Sequence, residues 1–256
     1  MLLLPGHRGA GDFPLIGFRL TIENMTDGST VHEVLAVVLQ VRPIPAHPGA
    51  SELCVLLWQR ARKPQARRWA LPGGSLRSTE DVETSARRQL ADKVDVREVA
   101  HLEQLAVFSD PTRVPGVRTV ASTFLGLVPS PADPTLPADT AWHRVTGLPA
   151  MAFDHGIIAE RGRNRLRHKL SYTNIGFALA PPEFTISTLR QLYSTALAHT
   201  VDPTNLQRVL SRRGVLEPTG TTMAPGPHGG RPAAFYRFTE TTLRVTDAFA
   251  ALRPPP

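Results

Sequence analysis

At 256 residues, with 41% hydrophobic and 20% charged content, the chain has the balance of a soluble globular protein long enough for one large domain or two of ordinary size. Its opening Met-Leu-Leu-Leu-Pro-Gly-His-Arg is too short an apolar run for a signal peptide or a membrane span, and the single Cys54 excludes an internal disulfide, so a cytoplasmic protein with a buried thiol and no membrane partner is expected. Residues 1–154 hold 16 Lys and Arg against 16 Asp and Glu, whereas residues 155–256 hold 13 against 6, so the whole net charge of +7 belongs to the C-terminal part. A basic excess confined to one region is the footprint of a nucleic-acid-binding module joined to a neutral one.

Residues 1–30 read as a tail, either mobile or adding a strand to a sheet edge, and no function is assigned to them. Residues 34–41, Val-Leu-Ala-Val-Val-Leu-Gln-Val, form a continuous apolar run expected of a buried strand, and residues 53–60 form a second across a Pro- and Gly-containing loop. A basic segment, 61–68, leads into Trp69-Ala-Leu-Pro-Gly-Gly. After the Gly-Gly turn, Ser78 or Thr79 is expected to cap a helix over residues 79–94, with Glu80, Asp81 and Glu83 in its first turns where the helix dipole favours them. Gln89, Asp92 and Lys93 share one face of that helix. Three carboxylates there would suit magnesium, but these three side chains sum to zero charge and place an ammonium where a ligand oxygen is needed.

Residues 102–109 and 119–128 read as further strands, and 129–137, with four prolines, as an irregular connection. A short strand at 142–145 precedes Asp154, a candidate N-cap for a basic helix from 155 to 171. Most of its arginines are expected to be a solvated face, while its last turn, with Arg167 and Lys169, is the part expected to meet a phosphate. Residues 174–180 read as a short helix. Thr185 or Ser187 can cap the next one, whose start presents Ser187, Thr188 and Arg190, and Asp202 with Pro203 opens a third. In that third helix Leu206, Val209 and Leu210 are expected inside and Asn205, Arg208 and Arg212 outside. Strand candidates at 214–220 and 233–238 flank a Gly- and Pro-rich loop. Three helices followed by a two-stranded wing describe a winged helix-turn-helix, in which Thr204, Asn205, Gln207, Arg208 and Arg212 would face DNA and Arg231, in the wing, would reach phosphate or the minor groove.

The stretch 69–96 resembles a Nudix box. Gly74, Glu80, Arg88, Leu90 and Val96 fall on that pattern, and Gln89, Asp92, Lys93 and Asp95 depart from it. The strand, strand, loop, helix order around it matches the start of a Nudix α/β/α sandwich. The order of the two halves, with Leu170-Ser-Tyr-Thr-Asn-Ile-Gly-Phe-Ala-Leu, Phe184-Thr-Ile-Ser-Thr-Leu-Arg-Gln-Leu-Tyr, Asn205-Leu-Gln-Arg-Val-Leu and Gly230-Arg-Pro-Ala-Ala-Phe-Tyr-Arg-Phe, resembles the NrtR family of Nudix-related regulators of NAD metabolism. The fold expected is thus an α/β Nudix-like sandwich at 31–153, a basic linker helix at 154–171 and a winged helix-turn-helix DNA-binding domain at 172–256.

The resemblance implies a homodimer that binds double-stranded DNA at a palindromic operator near genes of NAD synthesis. It also implies release from DNA by an NAD-derived effector such as ADP-ribose, with no cofactor required. The effector-site candidates are Arg60, Trp69, Gly73, Gly74, Arg88 and Lys93, with Arg88 expected to order the loop through an ion pair; no residue is expected to be catalytic or to bind metal. The competing reading is a hydrolase of ADP-ribose or NADH with an accessory domain, which requires Gln89, Asp92 and Lys93 to be tolerated. A third, an RNA-binding or scaffolding module, lacks the interleaved aromatics of an RNA-stacking surface.

Overall fold

A computed structural model describes residues 30–223 and 232–247. Within them β1 (Val31–Pro43) and β2 (Ser51–Gln59) are followed by short β3 (Trp69–Ala70) and β4 (Gly73–Ser75), then α1 (Val82–Val94). Next come β5 (His101–Phe108), β6 (Thr119–Leu127), β7 (Thr140–Arg144) and α2 (His155–Tyr172). The C-terminal part has β8 (Phe184–Thr185), α3 (Ile186–Leu197), α4 (Pro203–Arg212), β9 (Leu216–Met223) and β10 (Ala233–Phe238).

The first seven strands make one mixed sheet in the order β3-β2-β1-β6-β5, with β4 on β1 and β7 on β2. β1 runs parallel to β6 and antiparallel to β2. Side chains along a strand point alternately to its two faces, and here both faces are buried. Ala36 and Val38 pack with Leu90 and Val94 of α1, whereas Leu35, Val37 and Leu39 share a core with Ile158, Leu166 and Leu170 of α2. This explains why β1 reads as an unbroken apolar run rather than an alternating one. Gly162 marks the closest approach of α2 to the sheet: a Cβ there would stand 2.6 Å from Val37 Cγ1.

The second core continues into the C-terminal domain through Phe184, Leu189, Leu192, Tyr193, Leu206 and Leu210, so the two domains share packed apolar surface. Polar contacts cross the same seam, where Gln191 Nε2 donates to Gly49 O at 2.7 Å and to Ser51 Oγ at 2.8 Å. β8, β10 and β9 form the wing sheet in that order.

Several local expectations need correction. The cap of α1 is Asp81, whose Oδ1 accepts Thr84 N–H at 2.7 Å; Ser78 and Thr79 lie in the preceding turn because Glu80 turns back to take Arg77 N–H and Arg88. Asp154 makes no capping bond to α2, since both of its carboxylate oxygens accept from Arg113, at 2.8 and 2.9 Å. The short helix expected at 174–180 is present as a 3-10 helix, Ile175–Ala178. Val209 is half-buried rather than inside, and the first wing strand begins at Leu216, after Gly214 turns the chain out of α4. Of the two caps considered for α3, Thr185 is used, its hydroxyl accepting Thr188 N–H at 3.2 Å. The tail at 1–29 and the wing residue Arg231 lie outside the described residues.

Candidate functional site

A cavity of about 260 Å³ opens where β1, the end of β2, the Gly-Gly loop, the last turn of α1 and the start of α2 converge. Gly73 is there because nothing larger fits, and Gly74 leaves room for side chains arriving from α1. A Cβ on Gly73 would stand 2.2 Å from Val34 O, and one on Gly74 would meet Gln89 Nε2 at 2.8 Å and Lys93 Nζ at 2.9 Å. The loop therefore packs down on β1 on one side and receives the polar side chains of α1 on the other.

Lys93 reaches the cavity from α1, its ammonium donating to Gly73 O and standing 5.3 Å from the centre of the Trp58 ring. Desolvation by burial lowers its pKa. A magnesium ion bound through this helix face would need carboxylates at these positions. The residues present do not fit that ion: Gln89 and the Lys93 ammonium fill the space above Gly74, and Asp92 is exposed. No group of three or more His, Cys, Asp or Glu able to hold a metal occurs among the described residues.

Arg60 is the second cation on the cavity wall, its guanidinium 4.9 Å from the Phe153 ring centre. Glu33 of β1 lines the same cavity, tied by Arg113 Nη1 at 3.2 Å. Arg113 is itself buried between Glu33 and Asp154; burial would lower its pKa, but the two carboxylates prevail and raise it. His155, one residue on, completes the wall, with Nδ1 accepting Leu71 N–H at 3.0 Å.

The structure thus brings together Arg60, Gly73, Gly74 and Lys93, and leaves two other candidates off the cavity wall. Arg88 forms a two-pronged ion pair with Glu80, at 2.5 and 2.7 Å, whose hydrogen bonding holds the Glu80 carboxyl at about 2. It fixes the loop ahead of α1. Trp69 stands edge-on to His143, ring centres 4.2 Å apart. Sequence reasoning missed Glu33, Trp58, Phe153 and His155, which converge only through sheet pairing and the return of the chain at α2. Two wider hollows, each about 670 Å³, lie beside β5 and α2 and along the seam between the domains; neither is lined by the Gly-Gly loop or by α1.

On the C-terminal domain, Thr204, Asn205, Arg208 and Arg212 are all exposed along α4. The helix is capped by Asp202, whose Oδ1 accepts Asn205 N–H at 2.7 Å, and is anchored by Leu206 and Leu210. Arg208 donates to Asn205 Oδ1 at 2.6 Å, which holds both side chains on one surface. Gln207 points toward the wing, its Nε2 donating to Tyr236 OH at 2.8 Å. On α3, Ser187 is exposed and Arg190 half-buried, while Thr188 bonds its cap and lines the seam with Gln191. Arg167 is half-buried on α2. Lys169 is held 2.6 Å from Glu103 of β5, which also meets Arg165 and His101, so its ammonium faces the sheet. Burial alone would raise Glu103, but the bonds from His101 and Lys169 outweigh it and hold the carboxyl at about 2.

Comparison with known proteins agrees with this division. Residues 42–161 match the model of the NUDIX domain, and residues 176–238 match that of the NrtR DNA-binding winged helix domain. The chain is 31% identical over 195 residues to the ADPR responsive transcriptional repressor NtrR of Acinetobacter baylyi, covering 73% of this chain and 76% of that protein. It is similar to the crystal structure of Shewanella oneidensis NrtR, with a TM-score of 0.69 and 28% identity over 82% of this chain and 94% of that one. The same Shewanella protein complexed with a 27mer DNA matches with a TM-score of 0.68 and 27% identity, over 81% and 93% of the two chains. No helix among the described residues is long and apolar enough to cross a membrane. With a Nudix domain joined to a winged helix of the NrtR type, and with that degree of identity to a member across most of its length, the chain belongs to the NrtR family of Nudix-related transcriptional regulators.

Proposed function

We propose that this chain is a DNA-binding transcriptional repressor of NAD-synthesis genes, whose Nudix-like domain binds ADP-ribose or a related NAD-derived nucleotide and thereby releases DNA. The observation that supports it most directly is Lys93: an ammonium bonded to the Gly73 carbonyl gives the cavity a fixed positive charge of its own. A pyrophosphate held there meets Lys93 and Arg60 rather than a metal, which favours binding without hydrolysis. The related Acinetobacter repressor is described as ADPR-responsive, and the Shewanella relative has been crystallised on DNA.

The DNA contacts we assign are Thr204, Asn205, Arg208 and Arg212 on α4, with Ser187 and Arg190 at the start of α3 and Arg231 in the wing. Lys169 is not assigned a DNA contact, because its ammonium is paired with Glu103, and Arg167, half-buried beside it, contributes positive field at the end of α2. The functional unit is a homodimer placing two α4 helices on a palindromic operator. An effector loosens such a complex only by binding better to an arrangement that misplaces those helices. Helix α2, which begins at the cavity and ends at the winged helix, is the element positioned to transmit that difference.

A gel-shift titration on duplexes from promoters of NAD-synthesis genes, with and without ADP-ribose, tests the proposal. A salt-sensitive complex weakened by the nucleotide is expected. Failure of every such duplex to shift at modest salt overturns it, and brisk phosphate release from ADP-ribose with magnesium or manganese would favour the hydrolase reading instead.

A further inference from the structure

His155 is buried to 1% exposure and lies on the wall of the nucleotide cavity. Because its Nδ1 accepts the Leu71 N–H, a neutral ring must have its proton on Nε2. The ring is neutral at physiological pH: burial pushes its pKa down to about 4, Asp154 opposes that fall, and Arg113 and Arg60 reinforce it. Nε2 is therefore a buried N–H donor, and among the described residues it has no hydrogen-bond partner.

Buried donors in native proteins are nearly always satisfied, so an orphan of this kind calls for an acceptor. Other buried polar atoms here also lack partners, including Trp142 Nε1 and Tyr193 OH, but of the residues that carry them His155 is the one that lines the cavity. Leu71 N–H fixes the ring in place, so the donor is preorganised before any ligand arrives. Arg60 and Lys93 on the same wall attract an anion. A neutral N–H beside two cations adds direction to their attraction without adding charge.

We infer that His155 Nε2–H is a ligand-binding donor of the effector cavity, directed at an anionic phosphate oxygen of the bound nucleotide between Arg60 and Lys93. This rests on the reading of the cavity as the effector site. It identifies a residue outside the Nudix box, at the first position of α2, as part of ligand recognition.

Two substitutions separate the roles of the two ring nitrogens. In His155→Asn the side-chain oxygen can replace Nδ1 as the acceptor of Leu71 N–H, but nothing replaces Nε2. In His155→Gln the amide nitrogen reaches the Nε2 position. Calorimetric titration of the full chain with ADP-ribose is expected to show His155→Asn weakened by about 10- to 150-fold, the range for loss of a hydrogen bond to a charged group, with His155→Gln retaining more of the affinity. The melting temperature of His155→Asn should stay close to that of the parent. Nitrogen-15 spectra of the unaltered protein provide a second measurement, in which saturating ADP-ribose should move the Nε2–H signal of His155. A folded His155→Asn that binds as tightly as the parent overturns the inference alone, as does an Nε2–H signal that the nucleotide leaves unmoved. If the unaltered protein binds no ADP-ribose, ADP or NAD, the effector reading falls and this inference falls with it.

Discussion

Replacing Lys93 with Met tests whether the cavity's own positive charge does the work of a metal. The substitution keeps most of the unbranched stem and removes only the ammonium, which in the structure donates to Gly73 O and lies 5.3 Å from the Trp58 ring centre. The Gly73 carbonyl is then free to take water, so the fold should tolerate the change. Loss of a hydrogen bond to a charged group costs about 1.5–3 kcal/mol. That corresponds to an ADP-ribose dissociation constant raised by about 10- to 150-fold. Operator affinity without nucleotide should be unchanged, because Lys93 belongs to a different domain from α4. The assay is fluorescence anisotropy of a labelled operator duplex, titrated with nucleotide in magnesium and again in EDTA. Parent curves should coincide in the two buffers, and the Lys93→Met curve should shift to higher nucleotide in both. A shift of less than about threefold, or a parent response abolished by EDTA, would refute the idea that Lys93 replaces the ion.

Removing Arg212 or Arg208, both exposed on α4, should weaken operator binding and reduce the slope of log affinity against log salt by about 1 each, measured by gel shift between low and moderate salt. The triple substitution Gln89→Glu, Asp92→Glu, Lys93→Glu should create magnesium binding visible by calorimetry; if the parent already binds magnesium at this helix, the metal-free reading is wrong. Gly162→Ala should cost about 1–3 kcal/mol in urea unfolding, because its methyl would stand 2.6 Å from Val37 Cγ1 at the centre of the sheet. Glu103, held at about 2 against an ordinary 4.5, stabilises the fold fully above pH 4.5 and loses that contribution as pH falls toward 2. Glu103→Gln should therefore flatten the acid side of the stability profile, by on the order of 3 kcal/mol at pH 7 relative to pH 2 if its partners are otherwise undisturbed.

What could be seen in the sequence, and what could not, divides along the range of the interactions involved. β1 and β2 were legible because a strand buried on both faces must be apolar at every position, and α4 because Asp202-Pro203 is a strong local start signal. The Gly-Gly loop was legible for the same reason, since its signal is local, whereas an ion pair for Arg88 came only from the family resemblance and its partner, Glu80, from the structure. Where local signals failed, a distant residue had claimed the side chain. Asp154 looked like a cap because it precedes a helix, but Arg113, 41 positions earlier, takes both its oxygens. Lys169 looked free for phosphate because it ends a basic run, but Glu103 lies on the strand against which α2 packs. Most of the cavity wall was hidden in the same way. Glu33 comes from the start of β1, Trp58 from the end of β2, and Phe153 and His155 arrive only when the chain returns after β7. No spacing rule connects those positions, since their neighbourhood is made by the parallel pairing of β1 with β6 and the seating of α2 over Val37. A pattern of residues within one helix can thus show that a pocket has lost its metal ligands, whereas the groups that bind in their place are set by the sheet.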